Sequence, residues 1–102
     1  MIRRAQSVDL WHIMKLTQEF NEKYYHKPLN VDKTYALVQS IIADGVCFVS
    51  DAGYIGGVLT EDPFRDANAL VEFGWFAKDK SGIKLLDAFV AEGWRLGAEE
   101  IR

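Results

Sequence analysis

The chain has little with which to staple itself together. One cysteine, Cys47, stands in 102 residues, so no internal disulfide can form. It lies in the apolar run Val46-Cys47-Phe48-Val49, where a thiol reads as buried and inert, which fits a reducing compartment. There are two prolines, no low-complexity tract and no internal repeat, so no obvious linker divides the chain. No apolar run approaches the ~20 residues that span a bilayer, and the N-terminus lacks the apolar region of a signal sequence. The expected location is the cytoplasm, with no membrane partner. Basic excess is missing too. Twelve Lys and Arg stand against fifteen Asp and Glu, a net charge of −3, so nucleic acid is not an expected partner.

What is present is enough for a modest core. Hydrophobic residues make up 49% and charged residues 26%, which excludes disorder and bounds the chain at one domain or part of one. Ile2 to Ala5 reads as a short strand. Ser7 is the expected N-cap of a first helix, with Asp9 in its first turn. Leu10, Ile13, Met14, Thr17, Phe20 and Tyr24 recur at helical spacing, marking the core face of a helix through about residue 22. A polar, aromatic loop follows, carrying Tyr24, Tyr25, His26 and Pro28. Asp32 is the expected cap of a second helix with the stripe Tyr35, Val38, Ile41 and Ile42, which Gly45 ends as a left-handed residue.

Val46 to Val49 is a β-branched-rich strand. Asp51-Ala52-Gly53 reads as a hairpin loop with glycine in the left-handed position, and Tyr54 to Thr60 as the returning strand. After a loop comes Leu70-Val71-Glu72-Phe73-Gly74-Trp75-Phe76-Ala77, then the turn Lys78-Asp79-Lys80-Ser81 and a helix from Gly82 to residue 96. That helix is expected to pack Ile83, Leu86, Phe89, Val90, Trp94 and Leu96, with Gly93 permitting close approach to the sheet and Gly97 as its stop.

The stretch from 70 to 97 carries the most chemistry. A strand that delivers a glycine-containing turn to a helix N-terminus builds an anion site. The first backbone N–H groups of a helix lack internal partners, and its dipole adds roughly half a positive charge there. Lys78, Lys80 and Lys84 crowd the same turn, which suits a pyrophosphate. The alternative is an ordinary connection with solvated lysines.

The opening Ile2-Arg3-Arg4-Ala5-Gln6-Ser7-Val8-Asp9, taken with the hairpin and its Ile55-Gly56-Gly57-Val58 return, resembles the GNAT superfamily of acyl-CoA-dependent N-acyltransferases. Those proteins open on Ile-Arg-x-Ala-x-x-x-Asp. The resemblance covers essentially the whole chain and implies an α+β fold. Its mixed, mostly antiparallel sheet is flanked by helices in the order β-α-α-β-β-β-α. Residues 1–102 would form a single domain ending before or within the fifth strand, which Glu99-Glu100-Ile101-Arg102 would begin.

Resemblance also implies the co-substrate acetyl-CoA, held between the fourth and fifth strands. Backbone around Phe76, Ala77 and Lys78 would pair with the pantetheine arm, and the turn with Lys80, Ser81, Gly82, Ile83 and Lys84 would hold the pyrophosphate. The family's phosphate motif, Arg/Gln-x-x-Gly-x-Gly/Ala, is degenerate here. With Gly82 as its last glycine, Lys80 replaces the first glycine and Ala77 the Arg/Gln. With Gly82 as its first, Asp79 and Lys84 fill the other positions. A shortened turn fits equally.

Gly74 interrupts a β-rich strand and marks either a bulge that would splay the two strands or a crowded site. Glu72, flanked by Val71 and Phe73, is the catalytic candidate, because acetyl transfer to an amine needs a base for the ammonium proton. The competing reading is an exposed strand carboxylate. Tyr24, Tyr25 and His26 are candidate acceptor-lining residues, or loop aromatics packed on the core. The general-acid tyrosine of the family would lie beyond residue 102.

No His/Cys/Asp cluster at metal spacing surrounds His12 or His26, so no metal is expected. Ser7 and Ser81 read as caps, and Trp11, Trp75 and Trp94 as packing. The function implied is N-acetyl transfer to a primary amine, in a small molecule or a protein. The alternative is an inactive binding module, or a strand edge that completes its sheet with another copy or a partner chain.

Overall fold

The computed structural model describes residues 1–102. Its elements are β1 (Arg3–Arg4), a 3-10 turn (Ser7–Asp9), α1 (Leu10–Tyr24), α2 (Val31–Asp44), β2 (Val46–Ser50), β3 (Gly53–Glu61), β4 (Asn68–Ala77), α3 (Gly82–Arg95) and β5 (Glu100–Ile101). The five strands form one sheet in sequence order, antiparallel except for the parallel β4–β5 pair. Helices cover both faces. On one side α1 and α2 pack Leu10, Ile13, Leu16, Val38 and Ile41 against Cys47, Val49 and Tyr54. On the other, Leu85 and Phe89 of α3 meet Val46, Ile55 and Leu70. The expected α+β architecture and element order are present. No helix is long and apolar enough to cross a membrane.

Several local expectations need correction. Ser7 does not cap the first helical segment. Asp9, buried, accepts the Gln6 N–H at 2.8 Å and a two-pronged bond from the Arg3 guanidinium at 2.6 and 2.7 Å. That pair holds the Asp9 carboxyl below the ordinary range. Helix α2 is capped by Asn30, whose Oδ1 accepts the Lys33 N–H at 3.0 Å, and not by Asp32.

Only Gly97 has positive φ, so neither Gly45 nor Gly53 is left-handed. Both are glycines because of crowding. A Cβ at Gly45 would stand 2.4 Å from the Gly57 carbonyl oxygen, and one at Gly53 2.8 Å from Ala77 Cβ. Gly97 does stop α3. Its N–H reaches Trp94 O at 3.1 Å and the Ala98 N–H reaches Gly93 O at 2.9 Å, the paired bonds of a Schellman end.

The buried stripe of α3 is Leu85, Phe89 and Gly93, while Ile83, Trp94 and Leu96 face solvent. Gly93 permits the close approach expected of it, since a Cβ there would lie 2.6 Å from Leu70 Cδ2. Trp11, Trp75 and Trp94 are all exposed. Trp11 stacks on Tyr35 outside the core, and Trp75 donates its Nε1–H to Gly82 O at 3.1 Å. Burial pushes the Cys47 thiol up to about 12, so it is neutral and unreactive in the folded chain.

Candidate functional site

Strand β4 pairs with β3 along its whole length, with one irregularity. Gly56 faces Gly74 and Gly57 faces Glu72, so Phe73 is an extra residue, a β-bulge one position before the glycine that marked it. Gly74 itself is also crowded, because a Cβ would sit 3.0 Å from the Tyr54 ring. On the far side β5 pairs with Ala69 and Leu70, and the last bond is Glu72 N–H to Arg102 O at 3.0 Å. From Phe73 to Ala77 the strand bonds to β3, and on its other edge β5 runs alongside as far as Arg102, the last residue of the sequence, opposite Glu72. That edge runs straight into the turn before α3.

The turn has its own internal anion. Asp79 Oδ1 accepts the Ser81 N–H at 2.9 Å and the Ser81 hydroxyl at 2.5 Å. These bonds, hydroxyl first, hold the Asp79 carboxyl below the usual range. Ser50 and Ser81 hydroxyls lie 2.8 Å apart, tying β2 to the helix start. The Ser50 carbonyl accepts the Nε2–H of His12 at 3.0 Å. Ser81 occupies the N-cap position, but its hydroxyl caps no helix N–H as expected, because Asp79 and Ser50 take it instead.

The first helical hydrogen bond is Leu85 N–H to Ser81 O at 2.9 Å. The N–H groups of Gly82, Ile83 and Lys84 therefore have no partner and point along the helix axis, outward. Lys80 and Lys84 form no ion pair, whereas Lys78 Nζ is committed to Glu19 Oε2 at 2.9 Å. That bond lowers the Glu19 carboxyl.

A cavity of about 660 Å³ joins these parts, within the usual range for a small-molecule site. Trp75 to Lys80, Gly82 and Ile83 form one wall, and Phe20, Lys23 and Tyr24 the other. Phe20 packs edge-on against Phe76, with ring centres 5.3 Å apart. Tyr24 is thereby brought to the turn, not to the bulge. Tyr25 packs on Phe20 and does not line the cavity, and His26 is exposed away from it. A second cavity, about 750 Å³, lies across the turn beside Lys80, Ser81, Lys84 and Ser50. The sequence pattern places Phe20 only on the stripe of the first helix and Lys23 in the loop after it, and gives Glu19 no role. The signal that could have found them is their place on the last turns of α1, facing β4.

Glu72 sits at the bulge, half-buried, with no hydrogen bond or ion pair to its carboxylate. Burial alone raises its pKa. No group of three or more His, Cys, Asp or Glu side chains could hold a metal ion.

Asp79, with Asp51 across the turn, opposes an anion. Asp79→Asn keeps an acceptor for the Ser81 N–H while removing the charge. It is expected to tighten binding of a pyrophosphate ligand by about two- to fivefold, in line with a solvent-screened charge contact. Calorimetric titration of both proteins checks this, and the gain should shrink in high salt.

The elements and their order are those of several solved structures described as acetyltransferases. A possible acetyltransferase from Clostridium difficile 630 superposes with a TM-score of 0.79 at 17% identity, over all of this chain and 76% of that one. A GNAT family acetyltransferase from Staphylococcus aureus gives 0.70 at 15% identity, covering 99% of this chain and 82% of its own. AAC(6')-Iy, in complex with the bisubstrate analogue CoA-S-monomethyl-acetylneamine, gives 0.73 at 18% identity over 100% and 76%. At these identities the likeness is one of fold. No protein-family model matches the sequence, and no curated protein matches it either.

Proposed function

We propose that the protein is an N-acetyltransferase that moves an acetyl group from acetyl-CoA to a primary amine. One observation carries this. The three free N–H groups at Gly82, Ile83 and Lys84 stand at the end of β4, and Gly82 and Ile83 line the same 660 Å³ cavity as Phe76 and Ala77. A ligand with an extended amide-bearing arm and a pyrophosphate at its end matches both features. The arm adds to the edge as a strand would, and the phosphates meet the helix N-terminus with Lys80 and Lys84 nearby.

Gly82 keeps that approach open. A Cβ there would meet protein only at 3.6 Å, an ordinary contact, so its absence leaves room for a ligand rather than for packing. The AAC(6')-Iy complex with a CoA-containing analogue is in keeping with a ligand of this class.

Acetyl-CoA supplies an activated acyl carbon on a thioester. The residues do the rest. Backbone N–H groups of β4 beyond the bulge orient the carbonyl and polarise it. Glu72, directly or through water, takes the ammonium proton so that the nitrogen lone pair can form the C–N bond as the C–S bond breaks. The CoA thiolate leaves and is protonated. Tyr24 stands at the cofactor cavity, so its role moves from acceptor to donor binding.

The test is release of CoA thiol from acetyl-CoA in the presence of primary amines. Amine-dependent release is expected. An acetyl-CoA complex that forms but transfers to no amine would favour the second reading, a binding module. That reading has its own support in the exposed Phe73 and Trp75 of β4.

A further inference from the structure

A smaller cavity, about 70 Å³, lies end to end with the 660 Å³ one, and the same two elements wall both. On β4 the larger is lined by Trp75 to Ala77, and the smaller by Phe73 and Gly74 at the bulge. On α1 the larger is lined by Phe20 and Tyr24, and the smaller by Ile13 and Thr17, positions that share one helical face. Val38 and Ile41 of α2 and Cys47 of β2, all buried, close the inner end, while Phe73 and Leu37 at the other are exposed. A water needs roughly 10–15 Å³ of such space, so this one takes a group of several heavy atoms.

The donor reading decides which part of a ligand arrives here. With its phosphates at the α3 N-terminus, an arm laid along β4 runs back from Lys78 toward Gly74, about 13 Å of strand. It goes no further along that edge, because the Glu72 N–H already donates to Arg102 O at 3.0 Å. The acyl end of the arm therefore stands at the bulge, beside the space lined by Phe73 and Gly74. Gly74 keeps that space clear, since a Cβ there would come 3.0 Å from the Tyr54 ring and 3.2 Å from its hydroxyl.

The wall sets the chemistry of the chain. It carries no charged residue. Thr34 donates its proton to Asn30 O and Thr17 to Ile13 O, both at 2.8 Å, and Tyr54 donates to Thr17 Oγ1 at 3.0 Å. The Thr34 and Tyr54 oxygens keep lone pairs, so apart from the weak S–H of Cys47 the polar groups of the wall accept and do not donate. A carboxylate entering here would give up its water and gain neither a cation nor a donor. A methylene chain gives up nothing and gains contact. It strands no polar group either, because each hydroxyl beside it already makes a bond.

We infer that the donor site takes a neutral, apolar acyl chain longer than acetyl, whose tail fills the cavity behind Phe73 and Gly74 while the thioester stays at the bulge. This deepens the transferase reading and rests on its donor site. The experiment is calorimetric titration of the full chain, in the absence of amine, with free CoA and the straight-chain acyl-CoA series from acetyl to hexanoyl. Affinity relative to free CoA should rise about fourfold per methylene added to acetyl until the cavity is full, then level off. Val38→Ala, which deepens the cavity, should move the levelling-off about one carbon later. Val38→Leu, which fills it, should move it about one carbon earlier. Succinyl-CoA should bind at least tenfold more weakly than butyryl-CoA, which has the same number of chain carbons.

If free CoA binds but acyl length makes no difference, or neither variant moves the length dependence, the inference fails and the donor site stands. Succinyl-CoA bound as tightly as butyryl-CoA overturns it too, because the wall would then offer a carboxylate a partner. The wild-type series and succinyl-CoA decide the point even where a variant does not fold. If neither free CoA nor any acyl-CoA binds, the donor reading itself fails, and this inference with it.

Discussion

Glu72→Gln is expected to lower kcat by about 10²- to 10⁴-fold, the usual worth of a positioned base, with little change in the KM for acetyl-CoA. The same substitution should leave the fold as stable as wild type or more so. Burial raises the folded pKa of Glu72, and no partner offsets it. The folded chain therefore binds this proton more tightly than the unfolded chain. Its charged form costs stability above the folded pKa, and that cost disappears as pH falls below the unfolded value. A neutral amide removes the cost at neutral pH.

In wild type, kcat should fall on the acid side as Glu72 protonates, with a midpoint above the ordinary glutamate range, and the limb should vanish from the residual rate of the variant. Steady-state kinetics from pH 5 to 9 and melting curves of both proteins check these points. Equal kcat would remove Glu72 from the chemistry.

Gly57→Ala should abolish or nearly abolish folding, a loss above about 4 kcal/mol. An added Cβ would stand 2.0 Å from the Val71 carbonyl oxygen and 2.9 Å from Phe89 Cζ. Phe89 is fully buried and anchors α3, and Val71 belongs to the β3–β4 ladder beside the bulge. Neither backbone nor ring can yield without opening the core on the α3 side. Far-ultraviolet circular dichroism and a urea titration measure the loss. Gly82→Ala is the matched control, since its Cβ meets only ordinary contacts and the helix gains from losing a glycine.

These two glycines show what a sequence does and does not disclose. Helical spacing in α1 and α2, β-branched runs at 46–49 and 70–77, and the stop at Gly97 are local signals, and they placed nearly every element within two residues. The reason for a particular glycine is a tertiary distance. Gly45 and Gly53 look like left-handed turn residues in sequence and prove to be points of close contact. Caps went astray similarly. Ser7 is the better cap in isolation, but Arg3 reaches Asp9 and makes the buried carboxylate the organising group.

At the site, the strand, the bulge region and the helix start were legible because they are contiguous. The partners arriving from α1 were not. Glu19 commits Lys78, Phe20 packs on Phe76, and of Tyr24, Tyr25 and His26 only Tyr24 reaches the cavity. Ion pairs between residues 59 positions apart leave no periodic trace. Nor does an aspartate filling part of its own anion site, as Asp79 does at Ser81.

The measurement that tests the central claim most directly is thermal unfolding with and without millimolar acetyl-CoA, on wild type and Gly82→Ala side by side. A ligand bound only to the folded chain adds about 2.7 kcal/mol of stability at a hundred times its dissociation constant. The account predicts a clear rise in Tm for wild type. It predicts a much smaller one for Gly82→Ala, whose own Tm without ligand is unchanged or slightly higher. No shift in wild type, or an equal shift in both proteins, would contradict a donor site at the α3 N-terminus.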